Sequence, residues 1–157
     1  MVSLKLLKSF NLDQSSSPIG RLYDFSVDEN GHIYIPDSAL AHIKIYNSNG
    51  KLLQIFGQKG AGPGEFIDPT GIAISLDKIV IADIGQLKYI IFNRNFKELK
   101  RIFYLMSGHD FIIKDKFIIA NEYYQDNDGK KYKGVLINIE DNSVKGLIQL
   151  KKRQNDP

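Results

Sequence analysis

The chain has 157 residues, 43% of them apolar and 25% charged, with a formal net charge of +3. That suffices for one good core and is short for two domains; it excludes a disordered chain and is too weakly basic to argue for nucleic acid or an anionic membrane surface. Cysteine is absent, which excludes a disulfide framework and a thiolate zinc site.

In chain order, the opening MVSLKLLKSF has no long apolar run and makes a poor signal peptide, and no stretch approaches the ~18 apolar residues a membrane helix needs. Residues 3–12 predict a lone strand. From residue 20 onward, short runs rich in Ile, Val, Tyr and Phe alternate with turn clusters, which is the strand signal. A first unit predicts strands near 22–27, 32–36, 42–47 and 51–56, a second near 70–75, 78–82, 87–93 and 97–104. The two are copies, with Asp37 matching Asp83, Ile45 matching Ile91, Tyr46 matching Phe92 and Phe56 matching Ile102, each 46 positions apart.

A third, looser unit has strands at 111–114 and 116–121, where KFIIAN stands in for KIVIAD. The stretch EYYQDNDGKKYK (122–133) then lengthens the next link before strands near 134–139 and 143–150. Four antiparallel strands per unit of ~40–50 residues is the spacing of a propeller blade. The predicted fold is therefore all-β, a β-propeller of four-stranded antiparallel blades with about three blades present. Residues 1–157 form one partial domain, with blades at 20–57, 66–104 and 108–150 and a polar tail at 151–157.

Between the first two units lies FGQKGAGPGEFIDPTGIAI (56–74), with glycines at 57, 60, 62, 64 and 71. A phosphate cradle fits poorly. Gly57 and Gly62 have P-loop separation, but Pro63 and Gly64 stand where Lys and Ser or Thr are required, Glu65 takes the last glycine position of a dinucleotide fingerprint, and a strand follows instead of a helix. The alternative is a crossing from the outermost strand of one blade to the innermost of the next, in which Phe66 plugs the space between blades.

FGQKGAGPGEFIDPTGIAISLDKIVIAD resembles the NHL repeat of six-bladed propellers, and FNLDQSSSPIGRLYDFSVDENGHIYIPD is similar to the start of bacterial six-bladed propeller proteins. The resemblance covers residues 10–104 well and implies the N-terminal half of a ring, completed by more of the same chain or by a second copy in a homodimer. It implies an exported or periplasmic location. The function it implies is non-catalytic binding or scaffolding of a protein, peptide or carbohydrate ligand on the loop face, without cofactor or nucleic acid; the alternative is a metal-dependent lyase or lactonase.

Candidate site residues follow from the repeat. Asp37, Asp83 and Asn121 recur just after the second strand of each unit, either as acceptors for backbone N–H groups or as a ring of cation-binding side chains. Tyr123 and Tyr124 in the insertion offer flat amphipathic surface to a sugar or peptide. DNDG at 126–129 reads as a hairpin tip and not a calcium loop, since Tyr124 stands where the first Asp is needed. His32 and His42 match Lys78 and Lys88, which predicts exposed strand positions; His109 has no evident partner. The basic clusters at Lys130, Lys131 and Lys133 and at Lys151, Lys152 and Arg153 read as a solvated turn and tail.

Overall fold

A computed structural model describes residues 11–13, 15, 17–103 and 110–150. The predicted strand 3–12 (but for its last two residues), His109 and the tail 151–157 lie outside them. The described residues form strands and turns without a helix. Fourteen strands run in chain order: β1 (Ser26–Val27), β2 (Ile33–Asp37), β3 (His42–Tyr46), β4 (Leu52–Phe56), β5 (Gln58–Lys59), β6 (Glu65–Phe66), β7 (Pro69–Ile74), β8 (Lys78–Asp83), β9 (Lys88–Asn93), β10 (Glu98–Phe103), β11 (Phe111–Lys114), β12 (Phe117–Gln125), β13 (Lys131–Asn138) and β14 (Val144–Gln149).

They assemble into three four-stranded antiparallel sheets, β1–β4, β7–β10 and β11–β14, each a simple meander in sequence order. The copies agree down to their turns. Asn47 and Asn93 each accept the amides two and four residues on, and Ala41 and Leu87 share the same positive φ of 53° and 54°. These Asx turns end the third strand by satisfying its last backbone donors locally.

The sheets stack face to face. Alternation along each strand sends one set of side chains forward and one back. Tyr34, Ile43 and Ile45 of the first sheet meet Ile79, Ile81, Ile90 and Phe92 of the second. On the second sheet's other face, Val80, Ala82, Tyr89 and Ile91 meet Phe111, Ile118, Val135 and Ile137 of the third. The rear face of the first sheet (Ile33, Ile35, Tyr46) is covered by Leu12 and Ile19 from the segment preceding β1.

Three features differ from expectation. The strand predicted at 22–27 shrinks to Ser26–Val27 plus a single bridge from Leu22 to Asp37, and the Asp24 carboxylate accepts the Phe25 amide. The crossing carries a short parallel pair, β5 with β6. The insertion at 122–133 extends β12 and β13 instead of forming a link, with a register shift between Ala120 and Tyr123. Its tip is the hairpin turn anticipated for DNDG, closed by Asp126 accepting the Asp128 and Lys130 amides.

Candidate binding surface

The glycine-rich crossing is a hydrogen-bonded knot. Gly57 has a φ of +85°, and any Cβ there would sit 2.3 Å from the Phe66 ring. Phe66 is fully buried between the first two sheets, edge-on to Phe56 and Phe92 with centroids 5.9 and 6.0 Å away. Arg101 of β10 donates to the Ala61 and Gly62 carbonyls, to Gln86 Oε1 and to Glu98. Glu98 Oε2 in turn accepts the Gly64 amide at 2.8 Å, while Glu65 accepts the Gly62 amide and the Gln58 side chain. The Arg101 hydrogen bond outweighs burial and holds the Glu98 carboxyl below its usual range. The Gly62 and Gly64 amides, which a phosphate would need, are thus tied to carboxylates, and the segment acts as connection.

The recurring acidic position also turns inward. Asp83 is fully buried and accepts the Ile67 and Asp68 amides at 2.8 and 3.0 Å, with Gln86 Nε2 at 2.8 Å. Asp37 does the same for Gly20 and Arg21 at 2.8 and 3.1 Å. Its second partner is Lys44, equally buried, at 3.0 Å. Lys44 Nζ also donates to the Ser17 and Pro18 carbonyls, so the buried pair ties the 17–21 segment across the first sheet. Burial pushes Asp37 up, but the Gly20 amide, Lys44 and the Arg21 amide hold it below the ordinary carboxylate range.

Asn121 does not share this position. Register decides it: Lys78 pairs with Asn93 and Phe117 with Asn138, so five residues on, Glu122 stands where Asp83 stands. Glu122 is buried and accepts the Tyr89 hydroxyl at 3.0 Å, whereas Asn121 is exposed on the opposite face. Tyr123 and Tyr124 likewise point to opposite sides of β12. Tyr123 is exposed, with Lys133 Nζ 4.2 Å above its ring; Tyr124 packs toward the core and against Tyr132. The two do not form one platform.

His42 is only 15% exposed, its Nε2 4.0 Å from Asp37, because it pairs in register with that buried residue. The exposed position predicted for it is corrected. Burial and Lys44 push its pKa down, against a smaller opposing pull from Asp37. His32 is partly covered, 3.3 Å from Asp28. Asp28 also receives the Tyr34 hydroxyl and, at 2.7 Å, the guanidinium of Arg94 from the second sheet, a latch between sheets. Among the described residues, no group of three or more His, Asp or Glu side chains is placed to hold a metal ion.

What stays open is a bay of about 820 Å³ on the side where the inner strands converge. It is walled by Phe25 and Ser26, by Ile72–Ile74 and by Phe111–Ile113, with Asp24, Asp110 and Asn121 as its polar groups. Sequence reasoning missed the bay, Lys44 and Glu122. An Asn138 matched to Asn47 and Asn93 would have fixed the register of the third unit and exposed Glu122; a lysine inside the apolar run HIKIY was the available sign of Lys44.

The sequence profile of the family described as 6-bladed beta-propeller matches residues 14–150. Among solved structures, the fold is similar to that of a candidate exported protein of Bacteroides fragilis, with a TM-score of 0.69 and 20% identity, covering 90% of this chain and 42% of that one. It is similar to a Bacteroides vulgatus protein, with a TM-score of 0.62 and 14% identity over 90% of this chain and 46% of that one. A third is the extracellular domain of a candidate one-component system of B. thetaiotaomicron, with a TM-score of 0.51 and 10% identity over 88% of this chain and 26% of the other. The chain therefore spans less than half the length of each. No curated protein matches the sequence.

Proposed function

The chain belongs to the 6-bladed beta-propeller family, and from that premise we propose that it is a non-catalytic binding module whose recognition surface is the bay at the convergence of the inner strands. One observation carries this reading: the bay draws its walls from all three sheets, while the loop-face carboxylates Asp37 and Asp83 are buried and bonded to backbone amides. An apolar concavity with a few convergent polar groups is the usual form of a ligand site. The ligand it suits is a protein or peptide segment, whose apolar side chains meet Phe25 and Ile112 and whose backbone or basic groups meet Asp24, Asp110 and Asn121. Asn121 belongs to this reading as a contact; Tyr123 is exposed but does not line the bay, and Asp37, Asp83 and Tyr124 support the frame.

The three sheets are read as blades of one partial propeller domain. The Gly-Pro-Gly-Glu-Phe run at the crossing supports an NHL-type blade, and similarity to candidate exported and extracellular proteins supports an exported location. A lyase or lactonase reading would need donors converging on the axis.

The test is selection of a displayed peptide library and a glycan array on the purified protein, repeated with Ser26→Arg and Asn121→Arg in the bay walls. Peptide binders that lose ten-fold or more in affinity to the folded variants support the reading. Binding untouched by both variants, or glycans alone, overturns it.

A further inference from the structure

The strand of each sheet nearest the bay is an edge strand, so every second residue turns its backbone N–H and C=O away from the ladder. Hydrogen bonds at the ladder ends fix which residues these are. The Asp28 amide donates to the His32 carbonyl, that of Ser75 to Lys78 and that of Asn121 to Asp110. Phe25 in the first sheet, Ile72 and Ile74 in the second, and Phe111 and Ile113 in the third therefore turn their backbone groups to the bay they line. Phe25, Ile72 and Phe111 hold the same register position in the three sheets.

One carboxylate serves two of these three positions. Asp24 accepts the Phe25 amide at 2.8 Å with one oxygen and the Ile72 amide of the next sheet at 3.0 Å with the other. At the following junction the residue in the place of Asp24 is Gly71, which has no side chain to offer Phe111. Among the described residues, neither the Phe111 nor the Ile113 amide has an acceptor. A bare edge of this kind is a template for another strand. Ile112, between the two, is 59% exposed, and Asp110 is exposed on the bay rim.

We infer that the bay holds its peptide as an extended strand laid along β11 and bonded through the backbone to Phe111 and Ile113, a mode that rests on the peptide reading above. The two pairing positions are two residues apart, roughly 7 Å along the strand. The peptide residue between them faces Ile112, and pleating puts its side chain on the same side of the sheet. Ile119 and Leu147 continue an apolar patch there, so that position takes an apolar side chain. A basic residue suits the end beside Asp110. Main-chain bonds then supply affinity for many sequences, and selectivity is confined to alternate side chains.

The test uses the whole chain and the tightest heptapeptide from the displayed library, remade with one backbone amide methylated at a time. Two amides on alternate residues should each lose about five-fold or more in affinity on methylation, and the amide between them should lose nothing. Saturation with the unmodified heptapeptide should slow hydrogen exchange at the Phe111 and Ile113 amides about ten-fold or more. The Ile112 amide, already in the ladder opposite Ile119, should not change. Gly71→Asp, folded by circular dichroism, supplies the missing acceptor for Phe111 and should weaken the heptapeptide about five-fold or more, whereas Gly71→Ala should not. A heptapeptide that binds in the bay without the alternating profile, leaves Phe111 and Ile113 unprotected, or binds folded Gly71→Asp at full affinity overturns the inference and leaves the proposed function standing. Failure of every peptide to bind, or binding indifferent to both Ser26→Arg and Asn121→Arg, overturns both.

Discussion

Lys44 and Asp37 form a fully buried pair whose remaining valences go to Gly20, Arg21, Ser17 and Pro18. Removing one partner strands the other charge. Lys44→Ala should cost about 3–5 kcal/mol, read as a fall in the urea midpoint, while the double change Asp37→Asn with Lys44→Met should cost less than that single variant. The same cluster sets an acid response. A histidine whose folded-state pKa is depressed binds fewer protons when folded than when unfolded, so its contribution is intact above the unfolded value of about 6.5 and is lost as pH falls below it toward the folded value. Asp28 and Asp37 are depressed carboxylates, so theirs is intact above about pH 4 and lost below it. The urea midpoint should therefore drop between pH 7 and 5, and His42→Gln should flatten that first drop while leaving the steeper one near pH 3.

At the scale of elements, the strands were legible because alternation and β-branched runs report half-buried sheets directly, and the offset of 46 placed two meanders on each other. The role of the crossing was legible too, since Pro63 and Glu65 break both phosphate fingerprints. Less visible was anything decided by pairing register. KFIIAN looks like KIVIAD by type, yet the Asn138 turn shifts the match by one residue and puts Glu122, not Asn121, in the buried acidic position. The charge pair Arg94–Asp28 joins residues of two sheets only once those sheets stack, so no local pattern marks it, whereas Lys44 and Asp37 share one hairpin. The crossing itself should be fragile. Gly57→Ala adds a methyl into the Phe66 ring at a positive φ, and about 2 kcal/mol or more of lost stability is expected from strain and displacement together. Arg101→Ala frees the Ala61 and Gly62 carbonyls and loosens Glu98 from Gly64; hydrogen exchange at the Gly62 and Gly64 amides should quicken at least ten-fold, with the amides of β8 and β9 unaffected.

For the molecule as a whole, every sheet among the described residues pairs only strands adjacent in sequence. Its longest-range ties, such as Arg94 to Asp28 and Lys100 to the Ile139 and Glu140 carbonyls, reach one sheet back or forward and no further. A chain built this way can settle in the order in which it emerges from a ribosome or a translocation pore, each meander templating the next without waiting for a distant terminus. Interruption partway would leave a shorter stack of finished sheets and not a tangle, so truncation after β10 should yield a protease-resistant two-sheet fragment.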